Sequence, residues 1–366
     1  MWGDASQREA FAMETLRRLK VLTIAVGVLL IPATAASAAT KDMSAGTPPK
    51  GALKGLPEFV TDNAFYPKKV TIHQGDRVSF KTAGFHNILL APKTNVPQLF
   101  AIDPTKPVGS VKDAAGVDFW FKDQASVGIN PTVAAPGGGK VFTGKQTISS
   151  GLPLGAQPKP MKVKFPKKGT YTVLCALHPG MKATVVVKAK KAKIPTAKQD
   201  RARVKAQTKA AIKLAKKLAV GQGAPTGLTV RAGNDKKGIA ALAFFPAAKT
   251  VKVGQSVKFT VSDKTTETHN VAFAPKDYAE QDLAASFIGP NGLDPRTVYP
   301  SEPFGSPLVV NGTSHGNGFV NTGMLDSEKA TPLPKSASVS FSKAGTYSYY
   351  CIVHGAAMSG TITVTN

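Results

Sequence analysis

The chain has 366 residues, 42% of them hydrophobic, so it can bury a core and is not globally disordered. At roughly 100–200 residues per domain, that length accommodates two or three domains. Its two cysteines exclude a disulfide framework and a four-cysteine zinc site, and its net charge of +25 raises nucleic acid, a membrane surface or an anionic wall as partners.

At the N-terminus, Arg17, Arg18 and Lys20 precede an apolar run from Val21 to Ile31. The run is shorter than the ~20 residues a membrane span needs. Ala36-Ser37-Ala38 fits the cleavage pattern of a secretory signal peptide over residues 1–38, with Met13 as an alternative start. An uncleaved anchor is the other reading, and Arg17-Arg18 hints at twin-arginine export. Either reading places the working part outside the cytoplasm, as an extracellular, periplasmic or cell-envelope protein. Residues 39–55 read as a short flexible segment.

The rest of the chain is duplicated. Ala64-Phe65-Tyr66-Pro67 recurs as Ala243-Phe244-Phe245-Pro246, and Thr71-Ile72-His73-Gln74-Gly75 aligns with Thr250-Val251-Lys252-Val253-Gly254. Later, Lys168-Gly169-Thr170-Tyr171 aligns with Ala344-Gly345-Thr346-Tyr347. Two homologous domains follow, over residues 56–188 and 227–366. Val70/Ile72 and Val78/Phe80 alternate apolar with polar, as half-buried strands do, and frequent Gly and Pro break the strands into short ones. Each copy therefore reads as an all-β sandwich or barrel. The middle of each copy, about residues 92–160 and 275–335, is rich in Gly, Pro, Asn and Ser. These stretches read as long loops with little regular structure, either functional or partly mobile.

Residues 189–226 differ in composition. Residues 188–217 hold twelve Lys/Arg and a single acid, Asp200. Thr196 as N-cap with Gln199 three residues on forms a capping box. Val204, Thr208, Ala211, Ala215 and Leu218 then fall on one helical stripe. The segment reads as a basic helical linker, packed on a domain or solvated. It has no aromatic residue for base stacking, which argues against nucleic acid and for anionic lipid or wall polymer as a contact.

Both cysteines fall at matching places in the duplication. Copy one has Cys175-Ala176-Leu177-His178-Pro179-Gly180-Met181, and copy two has Cys351-Ile352-Val353-His354-Gly355-Ala356-Ala357-Met358. Each copy also has an upstream His-Asn pair, His86-Asn87 and His269-Asn270. A thiolate, two imidazoles and a weak axial thioether form the donor set of a blue copper site. A buried lone cysteine, or one disulfide bridging the domains, is the plainer reading of Cys175 and Cys351, and core packing the plainer reading of the methionines. His73, aligned with Lys252, reads as a solvent-facing strand residue. His315, which has no counterpart in copy one, reads as a bystander, and Trp120 as a packing residue of the first long loop.

With these motifs the chain resembles the cupredoxin family of blue copper proteins. The C-x2-H-x2-M loop at Cys175 looks most like that of amicyanin, while C-x2-H-x3-M at Cys351 is one residue longer. The resemblance implies two Greek-key β-sandwiches, each with a type 1 copper, and electron transfer. Carried over residue by residue, it makes His86, Cys175, His178 and Met181 the ligands in copy one, and His269, Cys351, His354 and Met358 those in copy two. It makes Asn87 and Asn270 braces of the ligand loops. It also implies that His178 and His354 are the more accessible histidines, with Pro179 and Gly355 forming an apolar contact patch for redox partner proteins.

No His-x-His occurs and no histidine neighbours either cysteine, so the chain lacks the further ligands of multicopper oxidases and copper nitrite reductases. Nor does it carry a hydrolase nucleophile, phosphate-loop or zinc-hydrolase motif. The expected function is an exported electron carrier that is not an enzyme, and the alternative is an extracytoplasmic copper carrier or buffer.

Overall fold

Alternating burial makes the strands. In Lys182–Lys188 the inward residues Ala183, Val185 and Val187 are buried, while Lys182 and Lys188 are exposed. In Ser359–Thr365 the same role falls to Ile362 and Val364. A period of two places one face on the core and leaves the other free. The computed structural model describes residues 38–46, 56–154, 158–289, 292–327, 331 and 333–366. The signal-peptide reading lies outside the described residues except for Ala38. No described helix is long and apolar enough to cross a membrane.

The first domain packs two sheets around one core. One sheet runs Met161–Lys164, Arg77–Thr82, Thr40–Ala45, Phe65–Tyr66. The other runs Lys69–His73, Lys182–Lys188, Gly169–Leu174, Leu89–Leu90, Ile148–Ser150, Pro136–Gly137. The second domain repeats this order. Its first sheet runs Leu308–Val310, Ser336–Phe341, Ser256–Thr260, Thr229–Lys236, Ile239–Phe245. Its second runs Ala248–Lys252, Ser359–Thr365, Gly345–Tyr350, Ala272–Phe273, Val320–Asn321. Parallel pairs such as Thr40–Ala45 with Arg77–Thr82, and Thr229–Lys236 with Ser256–Thr260, mark the crossed connections of a Greek-key sandwich. The all-β expectation holds for both copies.

Three features depart from the sequence reading. The segment expected to be flexible from residue 39 instead opens with strand Thr40–Ala45, in which Met43 and Ala45 are fully buried. Only two apolar residues at a spacing of two signal it, too little for a periodicity. Second, the domains interlock. Val60–Asp62, which precedes the first domain's repeat, pairs antiparallel with Ile239–Phe245 and so adds an edge strand to the second domain's sheet.

Third, the long middle stretches are structured. The first contains the hairpin Phe100–Pro107 with Ala125–Ile129, and the second a seven-residue π-helix, Tyr278–Ala284. Val108, Phe119 and Phe121 of the first stretch share a core with Ala272, Phe319, Tyr350 and Ile352 of the second domain. Trp120 Nε1 donates to Pro300 O at 2.9 Å, and Tyr299 Oη donates to Ala125 O at 2.6 Å. His315 bridges Asp113 and Glu302 at 3.1 and 3.0 Å. The first stretch is thus a clamp on the second domain, and Tyr350 and Ile352 place it against the residues flanking Cys351.

The linker helix spans Ala197–Ala219, with the expected capping box between Thr196 and Gln199. Ala211, Ala215 and Leu218 bury against Tyr66 of the first domain and Ile239, Ala241 and Phe245 of the second. Gln207 Nε2 donates to Phe65 O at 2.6 Å, and Lys41 pairs with Asp200 at 2.6 Å. The helix is a wedge against both domains, and residues 39–366 form one compact unit.

Interlocking of this kind predicts a single cooperative unfolding transition for the two domains. Phe121→Ala, which empties a fully buried site stacked on Phe119 and Tyr299, should lower stability by about 3–5 kcal/mol in denaturant titrations without separating the domains into two transitions.

Candidate metal centres

Each centre forms where one strand ends and the next begins. Strand Gly169–Leu174 delivers Cys175, a tight turn carries His178, and Met181 leads into Lys182–Lys188. The turn is closed by Met181 N–H to His178 O at 3.0 Å and Cys175 N–H to Met181 O at 3.1 Å. In the second domain Cys351 follows strand Gly345–Tyr350, and Cys351 N–H donates to Met358 O at 2.9 Å. Met358 N–H in turn donates to Gly355 O at 3.1 Å. The same four-residue turn thus starts at His178 in the first domain but at Gly355 in the second, so the extra residue is absorbed between His354 and that turn. Both methionines close their loop through the same backbone bond, and both are buried in the cluster that holds their cysteine.

His86 and His269 approach from the neighbouring strand connection. His86, Cys175 and His178 bring their donor atoms within 4.8 Å of one another, and so do His269, Cys351 and His354. Cys175 Sγ lies 3.8 Å from His86 Nδ1 and 3.4 Å from His178 Nδ1. Cys351 Sγ lies 3.6 Å from His269 Nδ1 and 3.3 Å from His354 Nδ1. All four imidazoles turn Nδ1 toward the sulfur and Nε2 away. Both cysteines are free, which removes the disulfide reading. Asn87 Oδ1 accepts from Ala176 N–H at 2.8 Å, and Asn270 Oδ1 accepts from Ile352 N–H at 2.7 Å. Each asparagine ties the strand of the upstream histidine to the loop of the cysteine.

Two glycines that the motif reading missed make room for the upstream histidines. Gly46 and Gly233 have φ of +79° and +72°, a region that favours glycine. A Cβ on Gly233 would stand 2.3 Å from His269 Nε2, and one on Gly46 would stand 2.8 Å from His86 Cδ2. The signal was present as Ala45-Gly46 and Ala232-Gly233, each just ahead of its repeat.

The outer histidines are the more accessible of each pair, as expected, but only slightly: His178 is 6% exposed against 5% for His86, and the His354 side chain is 12% exposed while His269 is fully buried. His178 and His354 do not open onto a solvent-facing patch. Both turn inward to Glu267, a buried carboxylate that the sequence reading passed over. Glu267 Oε2 lies 3.2 Å from His354 Nε2 and 3.7 Å from His178 Nε2. Its Oε1 accepts from Asn63 Nδ2 at 2.6 Å and from Thr61 Oγ1 at 3.3 Å. Pro179 and Gly355 are accordingly half-buried rather than an open contact surface. The signal was an acid two residues before His269, where copy one has Gly84 before His86.

Electrostatics prepares the sulfur for a metal. Burial alone pushes each thiol up, but the facing imidazoles outweigh it and bring Cys175 and Cys351 down to about 5. Burial disfavours the imidazolium of His354, yet the Cys351 thiolate and Glu267 raise it to about 10. His178 is raised against its burial by Glu267 and Cys175. Glu267 is held well below the usual carboxylate range despite burial, first by His178 and then by His354. A pre-ionised thiolate with two imidazoles and a nearby methionine suits a soft, redox-active copper. His73 and His315 stand apart, facing Ala192 O and the acids Asp113 and Glu302.

Residues 229–365 match the model of copper-binding proteins of the plastocyanin/azurin family. This domain belongs to the cupredoxin family. The first domain repeats the strand order, ligand loop and asparagine brace of this cupredoxin. Among solved structures the chain is similar to oxidised plastocyanin from Dryopteris crassirhizoma, at 24% identity over 37% of this chain and 99% of that one, with a TM-score of 0.21. It is also similar to a purple cupredoxin from Nitrosopumilus maritimus, at 19% identity over 37% and 98%, with a TM-score of 0.20. A reduced amicyanin variant matches at 20% over 40% and 90%, with a TM-score of 0.22. No curated protein matches the chain.

Two outcomes are expected. Gly233→Ala should displace His269 from the second donor set and lower the metal bound per chain, by elemental analysis, below that of the unaltered protein. In the metal-free protein, the ultraviolet absorbance of the thiolates should persist down to about pH 5. A thiol held at about 5, against 9.0 when free, contributes stability that is complete above the free value and is lost as pH falls through about 5. Metal-free stability should therefore drop across that range, and titration of both thiols near 9.0 would contradict the site electrostatics.

Proposed function

We propose that the chain is an exported electron carrier with a type 1 copper in each domain. The ligands are His86, Cys175, His178 and Met181 in one, and His269, Cys351, His354 and Met358 in the other. The observation that carries this reading is the paired convergence of two imidazole Nδ1 atoms on one thiolate, with each ligand loop closed at its methionine. Copper, when bound, supplies a one-electron cycle between Cu(I) and Cu(II). The protein's part is to hold the donors still. Asn87 and Asn270 fix the cysteine loops, Gly46 and Gly233 seat the upstream imidazoles, and burial of the cysteines excludes water. Donors held rigidly in a dry core need little rearrangement on a change of charge.

Enclosure favours electron transfer over copper buffering, because metal exchange requires a ligand to reach an open site. The engagement of His73 and His315 with other groups supports a carrier rather than an oxidase with a further copper centre. Ala36-Ser37-Ala38 supports export, where redox partner proteins would be met. The exposed cations of the linker helix support an electrostatic hold on an anionic envelope polymer.

Copper-loaded full-length protein should bind two copper ions per chain and show the intense thiolate-to-copper colour. Cys175→Ser and Cys351→Ser should each remove roughly half of it. A colourless protein with an ordinary tetragonal Cu(II) spectrum would contradict the proposal. Rapid handover of copper to an external chelator, with slow electron exchange, would favour the copper-buffer reading instead.

A further inference from the structure

The outer imidazole of each site has one nitrogen for its own centre and one for the other domain. His178 Nδ1 and His354 Nδ1 face their sulfurs at 3.4 and 3.3 Å. Their Nε2 atoms face the same oxygen, Glu267 Oε2, at 3.7 and 3.2 Å. One side chain therefore separates the two donor sets. That oxygen is hydrogen-bonded to His354 and lies within ion-pair reach of His178. It is also held in place, because Asn63 and Thr61 of the other domain anchor Oε1. Gly84 at the matching place in copy one means that one acid serves both centres.

We propose that the two centres form one coupled redox pair, with Glu267 the bridge through which an electron passes between the domains. This rests on the copper-loaded state proposed above. With copper held by both donor sets, an electron leaving Cu(I) at one, which would become Cu(II), would reduce the Cu(II) at the other to Cu(I). No proton or ligand is lost and no outside reactant is consumed. The chain can then take up an electron at one domain and release it from the other, although neither outer histidine is open to a partner. The bridge is a charge-assisted hydrogen bond on the His354 side and a charge contact on the His178 side, and burial keeps it out of competition with water.

The test uses full-length, copper-loaded protein. EPR of the fully oxidised chain should show mutual broadening of the two Cu(II) signals, absent from Cys175→Ser and Cys351→Ser. Pulse-radiolytic reduction of one centre per chain should be followed by a redistribution phase whose rate is independent of protein concentration and which Cys351→Ser lacks. Glu267→Gln removes the charge and replaces one accepting end with an NH2, which must then face either the imidazoles or the Asn63 and Thr61 donors. It should slow that phase several-fold while copper stays at two per chain. Asn63→Ala, which frees the carboxylate without touching a histidine, should slow it in the same direction. Two coppers per chain with unbroadened signals, or with no concentration-independent phase, would overturn the coupled pair. A wild-type rate in Glu267→Gln would overturn the bridge. A wild-type chain with fewer than two coloured centres would fail at the proposed function itself, and the pair with it.

Discussion

A carboxylate in a dry interior must be met by donors or it cannot stay ionised, since the uncompensated charge is expensive. Glu267 is met from both domains at once. His354 comes from its own domain, and His178, Asn63 and Thr61 from the other. Thr61 lies in the strand that extends the second domain's sheet, and Asn63 follows it, donating its N–H to Gly238 O at 2.6 Å. One short segment thus joins the sheets and neutralises the anion. Removing one partner of such a buried pair costs on the order of 3–5 kcal/mol, so the two ligand loops are held face to face.

The rest of the architecture reinforces that apposition. The first domain's clamp packs beside Cys351 through Tyr350 and Ile352, and the linker helix fills the seam between Tyr66 and Phe245. The sites thereby lose the open edge expected of a lone blue copper domain. What they gain is a low-dielectric setting, in which the thiolate, imidazoles and carboxylate act on one another more strongly than in water. Duplication supplied two similar sites, and a single acid in one copy made their relation asymmetric.

The two donor sets were legible in the sequence because the duplication shows them twice. Cys-x2-His with a following methionine is a local pattern, and the His-Asn pair recurs in the first half of each copy. The capping box of the linker helix was legible for the same local reason. Strand Thr40–Ala45 was not, because two buried apolar residues make no periodicity and its strand character comes from pairing with Arg77–Thr82. The clamp was hidden by its composition, since Phe119 and Phe121 stand among Gly and Asp and find their core in another domain. Glu267 was hidden by its symmetry partner: it has none. Its meaning appears only when residues 61, 63, 178 and 354 are brought together by folding.

Anomalous diffraction at the copper edge from crystals of the copper-loaded chain tests the central claim most directly. The account predicts two peaks, one among His86, Cys175 and His178 and one among His269, Cys351 and His354, with the Glu267 carboxylate between them. A single peak, or peaks away from these two donor sets, would contradict it.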